Sequence, residues 1–458
     1  MDTTFYKRFQ LISVAAATAL TALAFYFGAG LYPQWWLMWV AALPVLLLAP
    51  SLSWRESLVM ALAARILGGL SMWTYYRQYL HIPLSFAVEV LLIPAIAFAL
   101  AVLLFRGFFR RGQVWLAVLA FPSFTVAFEY LSALSFGTFG NIGYTQLNNL
   151  PVLQLAAVTG LWGLSFVVML FAPAVAAIIL SNGAARRRMA LVLSGVLLCV
   201  VGYGVWRLRA TPRAPYTLTV GLVSTEFPKN IFPSADSQKI QLLEEYAGEV
   251  RALAARGARI VVLPEMSVQV SGALSDAVDR LFEQTARDAG AQALLGVLHR
   301  TSTGTFNEAR LYSQSGKIEA VYRKHHLAPV AEAGATPGSD ISVLDQAVGP
   351  LGLAICRDMD YPEPARRYGK DKVGLLLVPA WDFNVDRWSH GHMALMRGVE
   401  YGYSIVRSAK EGYLTVSDDR GRVLAEASTN RNTPFTTLLA TAPVRHDTTI
   451  YLMLGDWF

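Results

Sequence analysis

RIVVLPE, Arg259 to Glu265, is a short β-branched run closed by a proline and a carboxylate. It is too short for a buried helix and too apolar for a surface loop, so it reads as a buried strand ending in a glutamate. Two later stretches repeat the pattern. KIEAVYRK (Lys317 to Lys324) ends in a lysine, and LGLAIC (Leu351 to Cys356) ends in a cysteine. Around them, short β-rich runs alternate with amphipathic helices. TLTVGLV (Thr217 to Val223) is a strand, and residues 236 to 256 are a helix with Ile240, Leu243, Tyr246, Val250 and Leu253 on one face. A helix over 272 to 289, a strand over 293 to 298, closely spaced strands from residue 306 and a helix over 387 to 402 follow. This is the pattern of an α/β domain, with boundaries at 217 and 446.

Ligands of α/β sheets gather beyond the carboxyl ends of strands, so Glu265, Lys324 and Cys356 can converge on one site. A carboxylate can take a thiol proton as general base, and an ammonium can stabilise both the thiolate and the oxyanion of a tetrahedral intermediate. The segment after Cys356 reads as a turn into a short helix, whose N-terminal end is expected to lower the thiol pKa. Taken singly, a cysteine ending an apolar strand is usually a small buried hydrophobe, and a Glu or Lys a surface charge. Their conjunction is what points to chemistry. Trp381 and Asp382, past a further strand end, are candidate pocket residues, and Arg397 and Glu400 a bracing ion pair.

The rest of the chain differs in kind. The 458 residues are 54% hydrophobic and 16% charged, against roughly a quarter charged in soluble domains. Low hydrophobicity and high charge, the marks of disorder, are absent. Residues 1 to 212 hold 13 Lys and Arg against the acids Asp2, Glu56, Glu89 and Glu129, whereas the remainder holds 26 basic and 28 acidic residues. Residues 1 to 210 are therefore a membrane domain. Seven apolar runs, near 10–31, 35–50, 57–75, 84–105, 113–133, 160–181 and 189–206, are predicted to span, the first as a retained helix rather than a cleaved signal. Although the net charge is +7 and the pI near 9.3, the excess sits on short loops. It reports topology rather than phosphate contacts, and no nucleic-acid partner is expected. Cys199 and Cys356 cannot make a disulfide framework.

Lys7, Arg8, Arg55, Arg106, Arg110, Arg111 and Arg186 to Arg188 fall on one side of the spans and Arg77, Arg207, Arg209 and Arg213 on the other. The bias places the N-terminus in the cytoplasm and the α/β domain outside it. Arg65, Glu89 and Glu129 lie within predicted spans. An Arg65–Glu89 pair holding the bundle is the expected use, and a polar pocket for a lipid headgroup the alternative. Ser132 to Gln154 is too polar to insert and is expected at the membrane surface.

VVLPEMS, YRKHHLAP and AICRDMDYPEPAR resemble the three signature segments of the nitrilase, or carbon-nitrogen hydrolase, superfamily. Membrane spans ahead of such a domain resemble the apolipoprotein N-acyltransferase family. FGNIGYTQ (Phe139 to Gln146), Gln154, TGLWGLSF (Thr159 to Phe166) and the terminal LGDWF strengthen that likeness. The resemblance implies an αββα sandwich on a helical bundle of about seven spans. It implies Glu265 as general base, Lys324 as oxyanion-stabilising cation, Cys356 as nucleophile and Glu332 as an assisting glutamate. An acyl chain would pass from a phospholipid through a Cys356 thioester to the terminal amine of a diacylglyceryl-cysteine lipoprotein. The enzyme would be a monomer in the bacterial inner membrane, with its catalytic domain periplasmic. Arg357, Asp358, Trp381, Asn141 and Tyr144 are the expected substrate-binding residues.

The sequence departs from the family pattern at Arg357 and Asp358, where an aromatic residue and Glu are usual, at APVAE (Ala328 to Glu332) and at STEFPKN (Ser224 to Asn230). Residues 447 to 458 form a tail where the family places a last membrane helix, either absent in this protein or cut short. A membrane-tethered amidase, in which water resolves the thioester, is the alternative function, and a non-catalytic lipid-binding module a further one. Trp388, His390 and His392 with His325 and His326 lack the ligand spacing of a metal site, so neither metal nor cofactor is expected.

Overall fold

The computed structural model of the chain describes residues 3–210, 212–231 and 233–458, leaving the first two residues of the predicted membrane domain outside. Two compact units emerge, one running to Ala210 and including Asp456–Phe458, the other Thr211–Gly455.

Among the described residues of the first unit, five helices are long and apolar enough to cross a membrane, namely Arg8–Gly28, Leu84–Arg110, Val114–Phe136, Ala156–Leu180 and Gly183–Arg209. The second and third of the seven predicted spans are shorter. The run Leu37–Ser51 is broken into Leu37–Val40, Leu43–Leu48 and a 3₁₀ turn, with Pro44 starting its second piece and Pro50 in the turn. The next helix begins at a capping box, Ser53 Oγ accepting from Glu56 N and Glu56 Oε2 from Ser53 N, and ends at Gly69 after 16 residues. The backbone continues from there through a 3₁₀ turn, Leu70–Met72, and a π-helical turn, Tyr75–Tyr79, so this predicted span changes its helical type along its length instead of forming one regular α-helix. Buried alanines close the helices on one another, among them Ala61, Ala64, Ala99, Ala101, Ala172 and Ala176, around Phe105 and Phe121.

The expected Arg65–Glu89 pair does not form. Glu89 faces outward, while Arg65 lies 4.9 Å over the Phe25 ring and has Tyr76, and after it Glu129, as its electrostatic partners. Glu129 Oε1 accepts from Ile142 N at 2.7 Å. The segment expected at the membrane surface, Ser132 to Gln154, is packed within this unit. Gly143 to Gln146 are buried, and Gln146 accepts from Trp39 Nε1 and donates to the Trp35 carbonyl, both at 3.0 Å. Gln154 accepts from Arg207 Nη1 at 2.5 Å. Internal partners make these polar groups compatible with burial.

The second unit is a four-layer αββα sandwich. Its strands are β1 (Tyr216–Ser224), β2 (Ile260–Val262), β3 (Val268–Ser271), β4 (Gln292–Arg300), β5 (Thr305–Tyr312), β6 (Ile318–Arg323), β7 (Ser342–Gln346), β8 (Gly349–Leu353), β9 (Leu375–Trp381), β10 (Ser404–Lys410), β11 (Tyr413–Ser417), β12 (Val423–Ser428) and β13 (Thr436–Val444). One sheet runs β13-β1-β2-β4-β5-β6 with β3 also on β4, the other β12-β11-β10-β9-β8-β7. Val220, Leu222, Ile260, Val262, Leu294 and Leu311 from the first meet Leu353, Leu375, Leu377, Val406 and Leu414 from the second. Each such buried side chain contributes about 1.5–3 kcal/mol of transfer free energy. On its other face the first sheet holds Leu243, Tyr246 and Val250 of the Asp236–Ala255 helix and Val278 and Phe282 of the Gly272–Ala289 helix. The Arg387–Tyr401 helix packs on β10 and β11. The tail expected from residue 447 begins as part of this unit, a Thr449-capped helix Ile450–Leu454 with Tyr451 stacked on Tyr401.

Candidate active site

β2 and β4 are parallel, and β5 and β6 each reverse direction, so the carboxyl ends of β2 and β6 share one edge of their sheet. Glu265 lies three residues beyond β2, Lys324 immediately beyond β6, and Cys356 three beyond β8. Glu265 N donates to the Ala380 carbonyl of β9 in the facing sheet at 3.2 Å. The three predicted side chains therefore meet across the sandwich, and Cys356 lies within electrostatic reach of both Glu265 and Lys324.

Lys324 Nζ is 2.7 Å from Glu265 Oε1 and 2.6 Å from Glu332 Oε2, and all three residues are buried. Asn307 of β5 donates through Nδ2 to Glu265 Oε1 and to Glu332 Oε1, both at 2.7 Å. The Ala328 amide adds a 2.7 Å bond to Glu332 Oε2. Burial would lower the Lys324 ammonium, but the charges of Glu265, Cys356 and Glu332 outweigh it and hold it above its ordinary value. Burial pushes the Glu265 carboxyl up, Lys324 pulls it down and Glu332 reinforces the rise, leaving it above the usual carboxylate range. A carboxylate poised upward is a better proton acceptor for a thiol.

Cys356 is partly accessible and has φ of +43°, a left-handed conformation rare and strained outside glycine. Its Sγ lies 3.5 Å from the Trp381 carbonyl. Burial and the Glu265 charge push the thiol well up, against Lys324 and Arg407. This is opposite to the lowering expected from a following helix. That helix is one 3₁₀ turn, Cys356–Asp360, too short a dipole to offset burial. A thiol held up in this way would need a base beside it before it could attack a carbonyl.

Two expected substrate-binding residues are held by partners within the protein, Asp358 buried and Arg357 partly exposed. Asp358 is fully buried. Its Oδ1 accepts from His325 N and His326 N and its Oδ2 from Tyr322 OH at 2.7 Å and Ile355 N at 3.1 Å. It joins the turn after β8 to the segment carrying Lys324, a bracing role rather than a substrate contact. Arg357 donates to the Leu327 carbonyl at 2.8 Å, lies 3.9 Å from Asp360 Oδ2 and sits 5.2 Å over the Tyr361 ring. Trp381 gives its carbonyl to the thiol, and its Nε1 donates to Glu411 Oε2 at 2.9 Å. Asn141 and Tyr144 belong to the first unit, both buried, with Tyr144 OH 2.6 Å from Thr138 Oγ1.

Asn307 escaped the sequence reading, and its one signal is a polar residue inside an otherwise strand-like run (TFNEARLY). Asp382 pairs with buried Arg407 through both carboxylate oxygens, and Arg407 adds positive charge near the thiol. Arg397 and Glu400 form the expected buried pair, with Arg397 Nε also on the Met359 carbonyl at 3.0 Å. His390 lies 2.8 Å from Asp386; burial lowers it, but Asp386 dominates and raises it to about 9.

Residues 226–450 match the carbon-nitrogen hydrolase family, and residues 17–174 match the apolipoprotein N-acyltransferase N-terminal domain. The apolipoprotein N-acyltransferase of Geobacter metallireducens is 27% identical over 431 residues, 84% of this chain and 82% of its own. That of Nitrosomonas europaea is 27% identical over 84% of each chain, and that of Vibrio vulnificus 22% identical over 100% of this chain and 95% of its own. A crystal structure of an amidase from Nesterenkonia sp. aligns with 52% of this chain and 92% of its own at 22% identity and a TM-score of 0.44. With both halves matched in order along one membrane protein, the chain belongs to the apolipoprotein N-acyltransferase family and is an N-acyltransferase with a carbon-nitrogen hydrolase catalytic domain.

Proposed function

We propose that this N-acyltransferase takes its acyl chain from a phospholipid, carries it as a thioester on Cys356 and delivers it to the α-amino group of a lipoprotein's diacylglyceryl-cysteine. The observation that carries this reading is the Glu265–Lys324–Glu332 cluster beside a partly accessible cysteine. Glu265 takes the thiol proton as Sγ attacks the ester carbonyl. The proton then passes to the departing glycerol oxygen, releasing a lysophospholipid. In the second half the amine attacks the thioester, Glu265 takes the amine proton, and Sγ leaves and is reprotonated. Two of the three Lys324 N–H groups are held by the carboxylates, which leaves the third for the oxyanion. Trp381 in the catalytic unit, and Asn141 and Tyr144 in the first unit, are kept as proposed substrate-binding residues, and Arg357 is proposed instead to brace its own turn.

Incubation of the full-length enzyme with phosphatidylethanolamine and a diacylated lipopeptide tests the reading. A triacylated peptide and a lysophospholipid in equal amounts are expected. Release of free fatty acid with no triacylated product would instead assign the amidase-like course, with water as acceptor.

We further propose an inner-membrane location with the catalytic unit on the extracytoplasmic side. Arg186 to Arg188 open the last long helix, which leads into the catalytic unit, and such clusters are retained in the cytoplasm. A cysteine in place of exposed Gln241 should react with an impermeant maleimide in cells whose outer membrane alone is permeabilised. Labelling only after inner-membrane lysis would reverse the orientation.

A further inference from the structure

Lys410, the last residue of β10, is completely buried. It is register-paired with Trp381 across β9 and β10, and its Nζ sits 4.2 Å from the Trp381 ring centroid. Nζ donates to the Met266 carbonyl at 2.9 Å and to the Ile231 carbonyl at 3.3 Å. Met266 directly follows the general base and is held at φ of +44°, a conformation that costs of order 1 kcal/mol or more and persists only where neighbours fix it. Trp381 supplies the carbonyl that faces the Cys356 thiol. One side chain thus touches the turn of the base, the platform of the nucleophile and Ile231, the residue that directly follows the Ser224 to Asn230 segment.

We propose that Lys410 is a positioning residue of the acylation half-reaction: by binding the Met266 carbonyl over the Trp381 ring it fixes Glu265 relative to Cys356. The inference rests on the triad reading above. Two carboxylates face the ammonium, Glu265 from the turn after β2 and Glu411 from its own strand end. Burial pulls the Lys410 ammonium down to about 7, against the attraction of both. The clamp is therefore charged at lower pH, where its field favours the Glu265 carboxylate, and loses its charge above neutrality.

The test is the rate of iodoacetamide alkylation of Cys356 against pH in the full-length, detergent-solubilised enzyme, with Lys410→Met and Lys410→Gln. The wild type should show an inflection near pH 7 beyond the thiol's own titration. Lys410→Met should lose that inflection, move the acid limb to higher pH and slow alkylation by about 10- to 100-fold, the scale of a charge-assisted hydrogen bond. Lys410→Gln, which keeps a donor without the charge, should lose the inflection but keep more of the rate. If neither variant folds, the wild-type profile decides alone, and absence of an inflection near pH 7 overturns the proposal. Variant profiles superimposable on the wild type overturn it equally. Failure of Glu265→Gln to slow alkylation would instead remove the triad reading and this inference with it.

Discussion

The Asp358 carboxylate accepts a 2.7 Å hydrogen bond from the Tyr322 hydroxyl, fastening the turn that bears Cys356 to the strand that leads to Lys324. Burial alone would raise the Asp358 carboxyl, but hydrogen bonds from His326 and Tyr322 and the Lys324 charge hold it below its ordinary value. A carboxylate depressed on folding adds stability above its unfolded pKa of about 3.9, and that stability disappears as pH falls through the lower folded value.

Asp358→Asn is therefore expected to lower the melting temperature at pH 7 and to flatten its fall on acidification. Tyr322→Phe should cost about 1.5–3 kcal/mol, the range for a bond to a charged group, because the buried carboxylate loses one of its donors. Thermal unfolding from pH 3 to 8 reads both. Donor headgroup preference should stay unchanged in each, since Asp358 faces no solvent, and a changed preference would return it to the substrate surface.

Glu265→Gln should form the acyl-enzyme about 10²- to 10⁴-fold more slowly, the usual worth of general-base assistance, while Cys356→Ser and Cys356→Ala should form no thioester. Asn307→Asp should be more damaging than Asn307→Ala, because it sets a third carboxylate against Glu265 and Glu332, which Asn307 now bridges. Single-turnover acylation gives the comparison. Near-normal acylation in Glu265→Gln would transfer the base role to Glu332.

The raised Glu265 carboxyl must be ionised to accept the thiol proton. Acylation should accordingly fall as pH drops through a value above the ordinary carboxylate range, not near 4. Glu332→Gln removes the charge that reinforces the rise and should move the acid limb to lower pH. An acid limb unmoved in that variant would disconnect the two carboxylates.

Arg357→Tyr is expected to leave the pH profile of Cys356 alkylation and the donor preference unchanged, and to cost under about 1 kcal/mol, because Arg357 is partly exposed and its approach to buried Asp360 is a long 3.9 Å. Its contacts to Leu327, Asp360 and Tyr361 account for it as a brace. A profile displaced to higher pH would show that its charge reaches the thiolate.

Glu265, Lys324 and Cys356 could be read from the sequence because each ends an apolar β-run, and strand ends of one direction meet at one edge. Asn307 could not, since one polar residue in a strand looks like the solvent half of an alternation. The task of Asp358 was equally hidden, because its partners Tyr322, His325 and His326 lie more than 30 residues away. In the bundle, apolar runs marked the helices but not their lengths. Pro44 and Pro50 break up the run over 35–50, and the helix that starts at the Ser53–Glu56 capping box passes into 3₁₀ and π turns after Gly69. The partner of Arg65 depended on helix rotation, which turns Glu89 outward and Glu129 inward.

The most direct measurement is the intact mass of the purified full-length enzyme after incubation with a phospholipid of defined acyl chain, without and then with a diacylated lipopeptide. The account predicts one acyl adduct, lost in Cys356→Ala, that persists without acceptor and vanishes when the amine is added as the peptide gains the same mass. No adduct on Cys356, or an adduct that decays equally fast whether or not the amine is present, would contradict it.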